Sequence, residues 1–203
     1  PLSTRAFSKI AFGNRNEGID AGARFHNDLV TNFKPCPGSP IFILEGIEKP
    51  GNLGAIFRTA DAAGFGGILI CGKGTDASNP AVIRASLGTV FCMPIACDTV
   101  TAVMQWCMTH KRNIIAATPN GDTHWHAGKL ADQPAILLGS EAHGISPLWL
   151  EAANNKKLTL ETIALPMHGL ADSLNVSATA AVLAYESLRQ REVLPDHSQP
   201  EST

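Results

Sequence analysis

The chain has no apolar run near the roughly 18 to 20 residues needed to cross a bilayer, and Pro1-Leu2-Ser3-Thr4-Arg5 lacks the charged-then-apolar order of a signal peptide. It has no C-x-x-C. Its five cysteines, Cys36, Cys71, Cys92, Cys97 and Cys107, are odd in number and three lie in apolar segments, which suits free thiols in a reducing compartment. A cytoplasmic protein with no membrane partner is expected. Net positive charge is also missing: the formal value is -2, so the whole molecule is no magnet for nucleic acid, and RNA contact requires a local patch or a further domain. There is no internal repeat.

What is present is enough apolar residue, 44% of 203, to bury one full core. Ile41 to Ile47 reads as a strand, Lys49 to Asn52 as a turn, Leu53 to Ala63 as a helix closed by Gly64, and Gly67 to Cys71 as a second strand, a βαβ unit. The spacing continues with a helix over Asn79 to Gly88 and a strand over Val90 to Ile95. A helix over Val100 to His110 and strands at Ile114 to Ala117 and Ala135 to Leu138 follow. Ser146 and Pro147 then cap and open a helix through Ala153. A last apolar strand from Ile163 breaks at Pro166-Met167-His168-Gly169 before the final helix. Alternating strands and helices predict an α/β fold with a mostly parallel sheet covered by helices on both faces.

Residues 1–35 carry Arg5, Lys9, Arg15, Arg24 and Lys34 against Glu17, Asp20 and Asp28. This segment reads as a basic arm or the remnant of an RNA-binding domain, with a Pro-rich linker at Phe33 to Pro40. The missing initiator Met fits a fragment, and Met removal before Pro1 would look the same. Residues 36–191 form the expected main domain, and 192–203, rich in Pro, Ser and acids, a disordered tail.

Ligands of open parallel sheets sit beyond the carboxyl ends of the strands. Three loops there carry the unusual residues. In P-G-N-L-G-A-I-F-R-T-A-D-A-A-G (50–64), Gly51 and Gly54 permit close approach and Asn52 stands at the helix start. Arg58 lies about 200° from Ile56 and about 100° from Phe57, which turns it outward. A surface pair of Arg58 with Asp61, worth about 0.2–0.5 kcal/mol, is the plain alternative. In I-L-L-G-S-E-A-H-G-I-S (136–146), Gly139 and Gly144 bend the backbone around a ligand while Glu141 holds donors from neighbouring loops, or bonds backbone N–H groups structurally. In L-P-M-H-G-L-A-D-S-L-N-V-S-A-T-A-A (165–181), Ser173, Asn175 and Ser177 suit a helix start that favours an oxygen-rich or anionic ligand.

Competing chemistries fail on missing residues. G-N-L-G is not G-x-G-x-x-G, and the second strand ends in Cys71-Gly72 rather than an acid for a ribose, which counts against a nucleotide dehydrogenase and an ordinary Rossmann-type methyltransferase. G-S-E-A-H-G is not the G-x-S-x-G elbow of a hydrolase. His124 and His126 have no third ligand nearby, so no metal is expected.

In order and spacing the three loops resemble the SpoU (TrmH-like) family of RNA 2′-O-ribose methyltransferases in the SPOUT superfamily, over about residues 40–190. Residues 3–25 are similar to the passage joining an RNA-binding domain to the catalytic domain in rRNA-modifying relatives. The resemblance implies a C-terminal trefoil knot, S-adenosylmethionine as cofactor, an RNA partner (rRNA ahead of tRNA), and a homodimer in which Arg58 faces cofactor held by the other subunit. Gly139, Leu165 and Leu174 match cofactor-binding positions, with Thr118 and Met167 as neighbours. Asn52, Arg58, Glu141, Ser173 and Asn175 match the polar residues of the reaction site. His143 and His168 lie in the loops without being demanded. The family proposal makes Arg58 the general base. Arginine is ordinarily never neutral, so a clamp on phosphate and developing alkoxide stays open beside it. A catalytically idle RNA-binding relative is the alternative function.

Overall fold

The computed structural model describes residues 3–10, 22, 25 and 28–192; the expected tail beyond Glu192 and most of the basic arm lie outside the described residues. The elements are α1 (Thr4–Ile10), β1 (Ile41–Glu45), α2 (Pro50–Ala62), β2 (Ile68–Cys71), α3 (Pro80–Ala85), β3 (Ile95–Asp98), α4 (Val100–Thr109), β4 (Ile114–Ala117), β5 (Thr123–His124), β6 (Ala135–Leu138), α5 (Pro147–Asn154), β7 (Leu160–Ala164) and α6 (Val176–Glu192). The strands form one seven-stranded sheet in the order β3-β2-β1-β6-β4-β7-β5. All its pairings are parallel.

The strands alternate their apolar side chains between two cores, as a period of two requires. Phe42, Leu44, Ile68, Ile70, Ile115, Ile136, Leu138 and Ile163 face the layer of α2, α3 and α6, where Leu53, Phe57, Val82, Ala180 and Leu183 cover them. Ile41, Ile43, Leu69, Ile114, Ala116, Ala135 and Leu137 face α4 and α5, beneath Trp106 and Trp149. Near-continuous apolar strands are what a sheet covered on both sides needs. Gly54 lets α2 and α3 touch, since a Cβ there would lie 2.5 Å from Ala85 Cβ and 2.7 Å from the Val82 carbonyl oxygen.

Residues 28–33 dock on the second face. The Asp28 carbonyl accepts from Cys97 N at 2.9 Å, Val30 and Phe33 are buried, and Phe33 meets Trp106 edge-on at 5.2 Å.

One strand begins later than the sequence spacing predicts. Val90 lies in a short 3-10 turn, Thr89–Phe91, entered through Gly88 at φ 89. The strand starts only at Ile95. Pro94 has no N–H to give a sheet ladder, so the apolar run before it cannot pair. The two-residue strand β5 was not expected at all. It extends the sheet beyond β7, opposite Ile163 and Ala164.

Chain direction reverses across the middle of the sheet. From β1 it moves outward through β2 and β3, then returns to the far side through β4, leaving β6 between. Such a switch gathers loops at the carboxyl edge. Here they are the segments after β1, β4, β6 and β7.

Candidate active site

Helix α2 begins with Lys49 as its cap residue and Pro50 inside the first turn, and Lys49 provides no side-chain cap. The free end of the helix therefore depends on neighbouring loops. Asn52, the third residue of α2, donates from Nδ2 to Glu141 Oε1 at 2.8 Å. Asn175 Nδ2 reaches the same oxygen at 3.0 Å and Asn52 Oδ1 at 3.1 Å. Three residues from three loops thus close a hydrogen-bonded ring. Asn175 also caps α6, its Oδ1 accepting from Ser177 N at 2.9 Å.

Lys49 Nζ pairs with the other Glu141 oxygen at 2.5 Å. This lysine was missed in the sequence, where its only signal is a lone cation beside the P-G-N turn. The bonded ammonium holds the Glu141 carboxyl below its usual range. Burial pushes it the other way, and the Asn52 amide and the Val176 backbone N–H add to the lowering. Glu141 is therefore an ionised hub whose lone pairs are already committed. That suits it to orient amides and not to take a substrate proton. Glu141 thus holds amides from two other segments, Asn52 and Asn175, and the Val176 backbone N–H also acts on it.

Two cavities meet at Glu141. One of about 300 Å³ is lined by Gly46, Lys49, Asn52, Glu141 and Val176. The other, of about 400 Å³, is lined by Ala117, Pro119, Gly139, Glu141, Ser173 and Leu174 among others. Glu141, Ala142 and Val176 belong to both. Ser173 stands outside the ring, its hydroxyl 3.3 Å from Asp172 Oδ1.

The loop carrying Glu141 is fixed by backbone. Ser140 and Gly144 exchange hydrogen bonds of 3.0 and 2.9 Å. A Cβ on Gly139 would lie 2.2 Å from the Gly144 carbonyl carbon. The glycine expected to make room for a ligand is thus required by the chain's own return. Buried Glu45, also missed, anchors the far end by accepting from Ser146 N at 3.0 Å and Trp149 Nε1 at 2.9 Å.

Other predicted residues lie apart. Arg58 is exposed on α2. Among the described residues it makes no ion pair with Asp61 or any other acid. Thr118 is bound through its backbone, N to Ile163 O at 3.0 Å. Leu165 packs on the first core, and Met167 is half-buried and lines neither cavity. His124 and His126 stack at 5.8 Å. Among the described residues no group of three metal-binding side chains assembles, and no helix is long and apolar enough to cross a membrane.

A model of the SpoU rRNA Methylase family matches residues 39–185. A 23S rRNA (uridine(2479)-2′-O)-methyltransferase of Streptomyces viridochromogenes is 30% identical over 149 residues, 70% of this chain and 50% of that protein. The 23S rRNA (guanosine-2′-O-)-methyltransferase RlmB of Photobacterium profundum is 29% identical, over 93% of this chain and 77% of its own. In structure the chain is similar to the SpoU methyltransferase AviRb from Streptomyces viridochromogenes in complex with the cofactor AdoMet, with TM-score 0.73 and 27% identity over 83% of this chain and 66% of that one. An RNA 2′-O ribose methyltransferase structure gives TM-score 0.70 and 40% identity over 79% of this chain and 60% of that one. The chain spans about half the length of the first of these relatives.

Proposed function

This chain belongs to the SpoU rRNA methylase family, and on that premise we propose that it methylates a ribose 2′-hydroxyl of RNA, rRNA ahead of tRNA, using S-adenosylmethionine. The observation that carries the reading is the Asn52–Glu141–Asn175 ring, whose Glu141 lines two adjoining cavities. The cofactor fits the larger cavity: Ala117, Leu138, Leu174 and Val176 offer an apolar wall for a purine, and Glu141 and Asp172 offer negative charge for a sulfonium. When bound, the cofactor supplies an electrophilic methyl group. Transfer of that methyl to the 2′-oxygen would leave S-adenosylhomocysteine, and the hydroxyl proton would pass to Arg58 where it acts as base, or to water where Arg58 acts as clamp.

In this proposal Glu141 sets the orientation of both asparagine amides, so that they hold the ribose in line with the methyl on the other side of the ring. Ser173 binds a ribose or phosphate oxygen at the start of α6. Arg58 comes from a second copy of the chain and acts as base or as clamp. Its exposure on α2 without an acidic partner supports a role outside its own subunit. The homodimer, the knotted threading of the last segment and a cytoplasmic, thiol-reducing setting, compatible with five free cysteines, belong to the same proposal.

The test is transfer of labelled methyl to rRNA and tRNA from cells lacking the gene, followed by mapping of the modified nucleotide. The expected result is incorporation at one ribose that Arg58→Ala abolishes. Cofactor binding without transfer to free RNA or ribosomal particles would overturn it in favour of an idle relative.

A further inference from the structure

The amino edge of the sheet, opposite the loops described above, gathers Lys34, Lys111, Arg112, Lys156 and Lys157. Three backbone bonds assemble it: Ile114 N to Thr159 O at 3.1 Å, Ala135 N to Asn113 O at 2.9 Å, and Ile41 N to Pro134 O at 3.0 Å. They bring the segments before β1, β4, β6 and β7 side by side. Two grooves run there. One of about 630 Å³ is lined by Lys111, Arg112, Lys156 and Lys157 and by no acid. The other, of about 460 Å³, is lined by Lys34, His110, Lys111 and Arg112 with Asp132 as its one acid. Lys111 and Arg112 belong to both, so the grooves are adjacent.

None of these lysines forms an ion pair among the described residues. Lys34, Lys111, Lys156 and Lys157 are all exposed. Arg112 is the fixed point of the strip: its Nη1 donates to the carbonyls of Ser39 and Gln133 at 3.2 and 3.1 Å, and its guanidinium lies over Trp106 at 5.9 Å. Lys111 and Lys156 are held in the left-handed region, φ 50 and 55, where non-glycine residues rarely sit. Each is the residue that turns the chain out of a helix, α4 or α5, and both line the 630 Å³ groove. In a chain of net charge -2, so local an excess of unpaired cations is an electrostatic footprint and not a general property of the surface.

We propose that this strip is a second, non-catalytic docking site for the phosphate backbone of RNA. The inference rests on the reading of the chain as acting on RNA. Four-residue strands rising about 3.3 Å per residue separate the two edges by roughly 13 Å before loops are added. The sheet and its two helical layers lie between the edges, so an RNA touching both must pass around them and be longer than the roughly four stacked nucleotides that match 13 Å. The strip therefore engages a part of a folded RNA distant from the modified ribose, through charge and without base readout.

The test is binding of a 40-nucleotide fluorescent RNA hairpin to the full chain over 50–200 mM KCl. It is run for the parent, for Lys111→Glu/Lys156→Glu/Lys157→Glu, and for the matching triple arginine variant. Unchanged melting temperatures serve as the folding control. The expected result is at least about 10-fold weaker binding by the glutamate variant, with the slope of log affinity against log salt reduced by about two to three. The arginine variant keeps both values. Equal affinity and slope in parent and glutamate variant would overturn the strip. So would its loss of binding to polyglutamate instead of RNA, which would assign an acidic protein partner. S-adenosylhomocysteine binding, measured in parallel, is expected to be the same in all three. Its absence in the parent would fault the methyltransferase reading separately from the strip.

Discussion

Asn52 and Asn175, 123 positions apart in sequence, share a side-chain hydrogen bond of 3.1 Å, and both donate to one oxygen of Glu141. Asn52 lies in the first turn of α2 and Asn175 caps α6. A change at either therefore disturbs the entry of α2 or α6 as well as the ring. Glu141 lies in a loop and is the member that can be altered with least effect on helix formation.

Glu141→Gln keeps the side chain's shape and removes the charge that collects Lys49 and two amides. Displacement of the amides by about 1 Å is enough to cost on the order of 10²-fold in methyl transfer. The expected outcome is a fall mainly in kcat, with affinity for S-adenosylhomocysteine little changed, because that product carries no sulfonium for the Glu141 charge to attract and the apolar wall of Ala117, Leu138 and Leu174 is untouched. Steady-state kinetics together with calorimetric titration of S-adenosylhomocysteine checks it. Full activity in the variant would remove the ring from the mechanism.

The same carboxylate gives a pH dependence with a defined sign. Its folded-state pKa lies below the ordinary value of 4.5, chiefly because of Lys49. The unfolded chain therefore binds more protons than the folded one in that window, and stability rises with pH there. The contribution is present above about 4.5 and is lost as pH falls through the lowered value. Glu186, lowered in the same direction by Arg189, adds a parallel loss. Urea midpoints between pH 3 and 6 are expected to fall less steeply for Glu141→Gln than for the parent, with the Glu186 part remaining. Lys49→Met is expected to raise the Glu141 pKa, readable by carboxyl NMR titration.

The sheet and most helices could be read from the chain because each apolar run is short and bounded by Gly or Pro, as at Gly64, Pro134 and Pro147. The run at Val90 misled because apolarity does not reveal that Pro94 blocks pairing. The ring residues were identifiable from resemblance, whereas Lys49 and Glu45 were not: each depends on a partner about 90 to 100 positions away, and no local period encodes such contacts.

Gly139→Ala tests whether the loop is held by its own backbone. The added Cβ would meet Gly144 and Ile145 backbone atoms at 2.2 to 2.4 Å, and backbone cannot swing aside as a side chain can. A destabilisation of about 1–3 kcal/mol is expected, with weakened binding of S-adenosylhomocysteine. Gly51→Ala, where no atom lies within 4 Å of the built Cβ, is the matched control and is expected to be mild. Equal midpoints for the two in urea would show that the loop yields.

Arg58 separates chemistry from folding most cleanly. It is exposed and forms no ion pair among the described residues, so Arg58→Ala is expected to shift stability by no more than about 0.5 kcal/mol. As base or as clamp it contributes at least about 10²-fold to transfer, and that loss is expected with an unchanged melting curve. Arg58→Lys distinguishes the two roles, since lysine keeps the charge but cannot grip phosphate and alkoxide with two parallel donors. Near-normal turnover with lysine would exclude the bidentate clamp. Mixing Arg58→Ala with Glu141→Gln tests where the arginine acts. If Arg58 serves the site of a second copy, a mixed dimer has one site with both defects and one with neither. Activity is then expected to return to a fraction of the parent's. If Arg58 serves its own subunit, each site in the mixture keeps one defect and no activity returns.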